Sequence, residues 1–113
     1  MNHKMLKPVE GQLEAYNRGD IDAFMLHFSE GCVVEDGAGQ LLMQGWDAMH
    51  ASYKKMFEAS PELHCNLVSR IVLGEYILDE ERVTGRNGST EESHVVAVYK
   101  VENGQICHIR FLR

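Results

Sequence analysis

The first half of the chain carries apolar residues at the three- and four-residue spacing that is typical of amphipathic helices. This pattern predicts a first helix over residues 6–18. A second, short helix is expected after Asp20, which can cap its N-terminus. Its apolar stripe includes Phe28, and Gly31 ends the helix. A third helix is expected over residues 46–59, with aromatic and methionine side chains on one face.

The pattern changes to that of strands before the third helix and again after it. The segment "CVVED" at 32–36 predicts one strand, and "QLLMQ" at 40–44 predicts its continuation after a glycine turn. Four further strands are expected over residues 62–73, 76–85, 93–102 and 105–112. The Asn103-Gly104 pair is a strong hairpin signal between the last two. The order predicts an α+β fold, in which three N-terminal helices pack on one face of a curved antiparallel sheet.

The strand expected over residues 93–102 has two faces that are both mostly apolar. Its alternation places Val95, Ala97, Tyr99 and Val101 on one face and His94, Val96 and Val98 on the other. A strand of this kind is covered on both sides. Because the helices cover one face, we expect the other to meet a second copy of the chain, which predicts a homodimer through the sheet. An aggregation-prone edge is the alternative.

Composition and charge narrow the class of protein. A length of 113 residues is typical of one domain, expected here to span residues 1–113. A net charge of −6 without a basic stripe argues against a nucleic-acid partner. No apolar run approaches the ~20 residues of a membrane span and no signal peptide is evident, so no membrane partner is expected. Three widely spaced cysteines fit reduced thiols and a cytoplasmic location.

No metal and no cofactor are expected from the sequence. His64-Cys65 and Cys107-His108 are adjacent pairs, and adjacent strand residues point to opposite faces, so neither pair can chelate one metal ion. The chain has neither a phosphate-binding glycine loop nor a Gly-x-Ser-x-Gly elbow.

The segment "NRGDIDAFMLHFSEGCVVEDGAGQLLMQG", residues 17–45, resembles the nuclear transport factor 2-like superfamily when it is read together with the aromatic-bearing helix and the meander that follow. Within that superfamily it is most similar to the branch of ketosteroid isomerases and SnoaL-like polyketide cyclases. The resemblance implies a cone-shaped fold, in which a curved sheet wraps around the helices and leaves a deep apolar pocket. Members of this fold are commonly dimers.

The resemblance gives Asp36 the part of a general base, because in ketosteroid isomerases the aspartate that ends "VED" moves a proton between two carbons next to a carbonyl. Asp36 shares a strand face with Cys32 and Val34, so it is expected at the rim of an apolar cavity. Burial there would raise its pKa and make it a better base. The alternative is that Asp36 only accepts backbone N–H bonds in an Asx-turn.

The same resemblance exposes two departures. Ketosteroid isomerases stabilise the dienolate oxygen with a tyrosine of the first helix and a protonated aspartate in the penultimate strand. In this chain those positions fall on Gln12 and Val96. Since losing one such donor costs ~10²–10³ in rate, these two departures argue against true steroid isomerisation.

Other polar groups are candidates to complete the site. His94 is expected on the same strand face as Val96 and could act with Asp36 as an acid/base pair. The expected pocket lining is Gln12, Tyr16, Trp46, Tyr53, His64, Glu81, Val96 and Phe111. Simpler interpretations stay open: both histidines as structural residues, Trp46 and Tyr53 as core, and Glu81 as a solvated strand position.

The sequence and the resemblance therefore favour a steroid delta-isomerase-like or SnoaL-like enzyme that transfers a proton next to the carbonyl of an apolar small molecule, by isomerisation or by a cyclase-like proton abstraction, with Asp36 as the base. The alternative is a non-catalytic small-molecule-binding or dimerisation domain of the same fold. A protein-binding role like that of the transport factor itself would need an exposed apolar patch.

Overall fold

The computed structural model describes residues 3–113 and has three helices and six strands in the predicted order. The helices are α1 (His3–Arg18), α2 (Ile21–Met25) and α3 (Trp46–Glu58), and the strands are β1 (Phe28–Asp36), β2 (Leu41–Gln44), β3 (His64–Leu73), β4 (Tyr76–Thr84), β5 (Ser93–Glu102) and β6 (Gln105–Leu112). A 3₁₀ turn, Arg86–Gly88, lies between β4 and β5. The predicted α+β class is confirmed.

The six strands form one curved, open sheet in the order β2-β1-β6-β5-β4-β3. The last four pair antiparallel with their neighbours and form the predicted meander. The expectation of a purely antiparallel sheet needs one correction, because β1 runs parallel to β6. This pairing sets Val34 opposite Ile109 and Asp36 opposite Phe111, so the first half of the chain joins the meander through its last strand.

The core lies between the helices and one face of the sheet. Phe24 of α2 is at its centre, with its ring centroid 4.7 Å from those of both Phe28 in β1 and Tyr53 in α3. Ile77 and Ile109, on the inner face of the sheet, are at most 1% exposed. Burial of each such side chain stabilises the fold by about 1.5–3 kcal/mol, so these contacts fix the helices against the sheet.

Asn17, near the end of α1, joins that helix to β3. Its Oδ1 accepts a hydrogen bond from the Cys65 backbone N–H at 2.7 Å, and its Nδ2 donates to the Cys65 carbonyl at 3.0 Å. The side chain thus acts as a strand partner for one residue. This places the Cys65 side chain under α1 at a fixed position on the inner face.

The second helix is shorter than expected. Asp20 caps it as predicted, since its Oδ1 accepts from the Ala23 backbone N–H at 3.1 Å. The helix ends at Met25, however, and Phe28 already belongs to β1, where it lies opposite Ile106. The helical spacing of Phe28 was misleading because a strand buries the same side chain equally well.

Across residues 3–113, no helix combines the length and the apolar character needed to cross a membrane.

Candidate functional site

A cavity lies between the three helices and the inner face of the sheet. Apolar walls come from α1, α2, β4 and β6, through Leu13, Phe24, Val83 and Ile109. The space that the centres of water molecules can reach is about 70 Å³. Since one water needs ~10–15 Å³ on this measure, the cavity holds only a few, and a ligand that enters it without movement of the walls is small.

The inner face of β4 brings two acidic side chains to this apolar region. Ile77, Asp79, Glu81 and Val83 alternate on the buried face of the strand. Asp79 is 0% exposed and Glu81 is 5% exposed. Only Glu81 of the two lines the cavity, so they have different surroundings. A buried carboxyl group is costly unless it is paired or neutral, and the two acids meet this requirement differently.

Asp79 is held by a two-pronged ion pair with Arg70 of β3. Arg70 Nε donates to Asp79 Oδ1 at 2.7 Å, and Nη2 donates to Oδ2 at 2.9 Å. Nη1 of the same guanidinium reaches Glu10 Oε2 of α1 at 3.4 Å. The strand register places Arg70 directly opposite Asp79. Arg70 therefore fixes the Asp79 carboxyl group in the sheet, two residues before Glu81 on the same face.

Glu81 lies in an environment that disfavours its charged form. Desolvation by burial, followed by the negative charge of Asp79, raises the pKa of Glu81 to about 7. The Cys65 thiol, which is within hydrogen-bonding reach of the carboxyl, and the Arg70 charge oppose this rise. At neutral pH the protonated and ionised forms are thus both well populated, so Glu81 can accept or give a proton.

Three tyrosines from three different elements surround the same space: Tyr16 of α1, Tyr53 of α3 and Tyr99 of β5. Burial raises the pKa of all three, that of Tyr53 to about 12, so each keeps its hydroxyl proton at neutral pH. The charge of Glu81, which lines the same cavity, contributes to the raised pKa of every one of them.

Gln12 of α1 orients one of these hydroxyls. Its Nε2 donates to Tyr99 Oη at 3.1 Å and to the Val9 carbonyl at 3.1 Å. Because Tyr99 Oη accepts from Gln12, its own hydrogen is directed to another acceptor. The cavity therefore contains a hydroxyl donor whose position is set by a buried amide.

Two arginines lie at the mouth of the cavity, Arg86 after β4 and Arg113 after β6. Arg86 follows Gly85, which has φ +79° and whose Cβ, were one present, would collide with the Glu62 backbone carbonyl. The turn is further held by the Asn87 backbone N–H, which donates to Ser60 Oγ at 2.7 Å. Only glycine fits this close approach, so the backbone of the turn fixes the position of the Arg86 main chain at the cavity mouth.

Five of the expected pocket residues line the cavity: Gln12, Tyr16, Tyr53, Glu81 and Phe111. Trp46 does not, since it is 38% exposed and stacks on His50 with ring centroids 4.9 Å apart. His64 also lies elsewhere, exposed at the start of the edge strand β3. The expectation that these two line the pocket is corrected.

His94 and Val96 lie on the outer face of the sheet, so the expectation that they face the cavity is wrong. His94 Nε2 is 2.7 Å from Glu80 Oε2, and both side chains are on the side away from the helices. The alternation of β5 was correctly predicted, but its other face, which carries Tyr99, is the buried one.

Asp36 lies at the end of β1 with its carboxylate directed to its own turn. Oδ1 accepts from the backbone N–H groups of Ala38 and Gln40, each at 2.9 Å. This is the Asx-turn geometry that the sequence left open as the alternative. Asp36 is not among the side chains that line the cavity, and the structure does not bring it together with His94 there.

The sequence interpretation missed Asp79, Arg70, Tyr99 and the two arginines at the mouth as parts of the site. A signal for Asp79 and Glu81 was present, because Ile77 and Val83 flank them at strand spacing and mark that face as buried.

Within residues 3–113, no group of three or more His, Cys, Asp or Glu side chains is arranged to hold a metal ion.

The fold defines an α+β class in which a curved, open sheet packs around three helices. The sequence model of the SnoaL-like domain matches residues 9–109, so the chain belongs to the SnoaL-like family of the nuclear transport factor 2-like superfamily. The resemblance stated from residues 17–45 is confirmed at this level. None of the curated proteins compared with the chain matches it.

Solved structures share the fold. A cystatin-fold protein from Novosphingobium aromaticivorans is 24% identical with a TM-score of 0.88, over 96% of this chain and 97% of that one. A protein from Sinorhizobium meliloti, provisionally named a polyketide cyclase, is 22% identical with a TM-score of 0.79 over 93% of both chains. An epoxide hydrolase of the LEH-like type from Mycobacterium tuberculosis is 17% identical with a TM-score of 0.84, over 97% of this chain and 82% of that one. At these identities the likeness establishes the fold alone.

Proposed function

We propose that this protein is an enzyme that moves a proton next to the carbonyl group of a small, mainly apolar molecule, with Glu81 as the general base. The observation that carries the proposal is a buried carboxyl group in the cavity wall whose pKa is raised to about 7. A base is most effective when its pKa is close to the working pH, because it is then both ionised often enough and basic enough.

Tyr99 supplies the group that such a reaction needs at the carbonyl oxygen. When Glu81 removes the hydrogen from the neighbouring carbon, negative charge develops on that oxygen, and a fixed hydroxyl donor stabilises it. Tyr99 Oη is held by Gln12 and keeps its proton, since burial raises its pKa. This donor would take the place of those that the family resemblance placed at Gln12 and Val96.

Two proteins that share the fold carry names that describe small-molecule chemistry. One is provisionally named a polyketide cyclase and another an epoxide hydrolase, and these activities belong to those proteins. The role first expected for Asp36 moves in our proposal to Glu81, because Asp36 Oδ1 already accepts two backbone hydrogen bonds outside the cavity lining.

The test is exchange of carbon-bound hydrogen with solvent. Butanone, cyclopentanone and acetoacetate are incubated with the protein in heavy water near neutral pH, and loss of the hydrogens next to the carbonyl is followed by proton NMR. We expect acceleration by the wild-type protein and a loss of ~10²-fold or more in Glu81→Gln. The matched control is Glu80→Gln, the same change one residue earlier on the outer face, which should keep the wild-type rate.

Two results would contradict the proposal. One is wild-type exchange that persists in a folded Glu81→Gln protein, and the other is the absence of exchange with every ketone. Binding of a ketone without exchange would favour the alternative, a small-molecule-binding domain without chemistry. Circular dichroism of each variant establishes that a lost rate is not a lost fold.

A further inference from the structure

We infer that the molecule taken up by this cavity is a short-chain oxo acid, whose carboxylate is held at the mouth by Arg86 and Arg113. The inference rests on the proposed function for the carbonyl end of the molecule, which lies toward Glu81, whereas the anionic end is argued from the arginines themselves.

The first observation is how the arginines are partnered. The chain has six, and four of them have a carboxylate oxygen within 4.0 Å: Arg18, Arg70, Arg82 and Arg110. Within residues 3–113, no such partner is found for the remaining two, Arg86 and Arg113, and both line the cavity. A guanidinium stays charged and offers a planar fork that matches a carboxylate.

Solvent exposure alone does not account for this difference. The side chains of Arg18, Arg82 and Arg110 are 57%, 44% and 42% exposed, and each still has an acidic partner. The protein carries a net charge of −6, so carboxylates are in excess. Arg86 and Arg113 therefore bring two guanidinium groups to one cavity mouth, and neither is paired with an Asp or Glu side chain of the described residues within 4.0 Å.

The second observation is that the arginines share this space with hydroxyl donors. The charges of Arg86 and Arg113 both act on the Tyr53 hydroxyl, where they oppose the rise in pKa that burial causes. Arg86 acts on the Tyr16 hydroxyl in the same way. Guanidinium and hydroxyl groups that face one space form a set of donors for a carboxylate, whose charge-assisted hydrogen bonds are the stronger kind.

The third observation is that the mouth is built on a constrained backbone. Gly85 and the Asn87–Ser60 hydrogen bond fix the turn that carries Arg86. The Arg113 guanidinium lies over the Phe111 ring, 5.8 Å from its centroid. The cationic end is thereby positioned before any ligand arrives, which lowers the entropy cost of binding.

The two ends of the cavity differ in charge and exposure, and this defines the ligand. Arg86 and Arg113 are exposed at the mouth, while Glu81 is buried in the β4 wall. About 70 Å³ of reachable space leaves room for only a short carbon chain between them. A molecule with a carboxylate at one end and a ketone at the other satisfies both ends.

The experiment compares an acid with its uncharged ester. Acetoacetate, levulinate and their methyl esters are titrated against the wild-type protein by isothermal calorimetry and ligand-observed NMR. We expect at least one acid to bind about tenfold or more tightly than its ester. The Arg86→Gln, Arg113→Gln double variant should lose that preference, and the control Arg82→Gln, whose side chain pairs with Glu92 away from the cavity, should keep it.

Equal binding of acid and ester overturns the inference, as does a preference that survives the double variant or no binding of either acid. The outcome is separate from that of the proton-transfer test. Acid preference without hydrogen exchange would contradict the proposed base chemistry and support the carboxylate site. Hydrogen exchange on ketones without acid preference would support the base chemistry and contradict the carboxylate site.

Discussion

Glu80 and Glu81 are adjacent in the chain, but the pKa values of their carboxyl groups are shifted in opposite directions. On the outer face, hydrogen bonds from His94 and from Ser69 Oγ lower the pKa of Glu80. On the inner face, burial and the charge of Asp79 raise the pKa of Glu81 to about 7. Strand alternation predicts that neighbours point apart, but it does not say which of them faces the helices.

At this scale we predict an effect of Glu81 on stability that depends on pH. Its pKa in the folded protein, about 7, lies above the ordinary value of 4.5. The contribution of Glu81 to stability is therefore complete below about pH 4.5 and is lost as the pH rises to about 7. Glu81→Gln has no such loss. The free energy of unfolding of the variant, relative to that of the wild type, should therefore rise by about 3 kcal/mol between pH 4.5 and about pH 7.

Urea denaturation at a series of pH values measures this difference. Glu80→Gln should behave in the opposite sense, because a lowered pKa stabilises the fold at higher pH and loses that effect as the pH falls. A constant difference between the wild type and Glu81→Gln would contradict the raised pKa.

At the scale of elements, the sequence predicted the bounds of helices and strands better than the contacts between them. The bounds of β5 and β6 agree with the hydrophobic alternation, and those of α3 agree within one residue. The sequence did not show which face of β5 packs against the helices, because a strand with two apolar faces can bury either one. Contacts from another element decide it, here Tyr99 Oη meeting Gln12 of α1.

The Arg70–Asp79 pair shows a second limit of the same kind. The register between β3 and β4 shifts by one residue between Leu67 and Ser69. Without this bulge Arg70 would lie opposite Leu78, and Asp79 would lose its partner. A bulge leaves no simple mark in the sequence, so neither the ion pair nor its effect on Glu81 could be predicted from spacing.

At the scale of the whole molecule, the outer face of the sheet carries an apolar strip. Ile71, Leu78 and Val98 lie in register across β3, β4 and β5, on the side away from the helices. Ile71 is 60% exposed. The homodimer through the sheet stays a prediction, and this strip is where we expect the two copies to meet, because exposed apolar surface favours association.

Analytical ultracentrifugation tests that prediction. We expect the wild-type chain to sediment with twice the mass of the 12.8 kDa monomer, and Ile71→Lys to sediment as a monomer. The control is Leu26→Lys, an exposed leucine at the end of α2 on the helical side, which should leave the dimer intact. A monomeric wild-type protein, or a dimer that Ile71→Lys does not weaken, would contradict the predicted interface.

The proposed function requires that Glu81 exchanges a proton at neutral pH, and titration of its carboxyl carbon measures this property. Carbon-13 NMR of protein labelled at the glutamate carboxyl groups, with the Glu81 signal assigned by its loss in Glu81→Gln, follows the group from acid to alkaline pH. We expect a midpoint at about 7. A midpoint near 4.5, the ordinary value for glutamate, would contradict it.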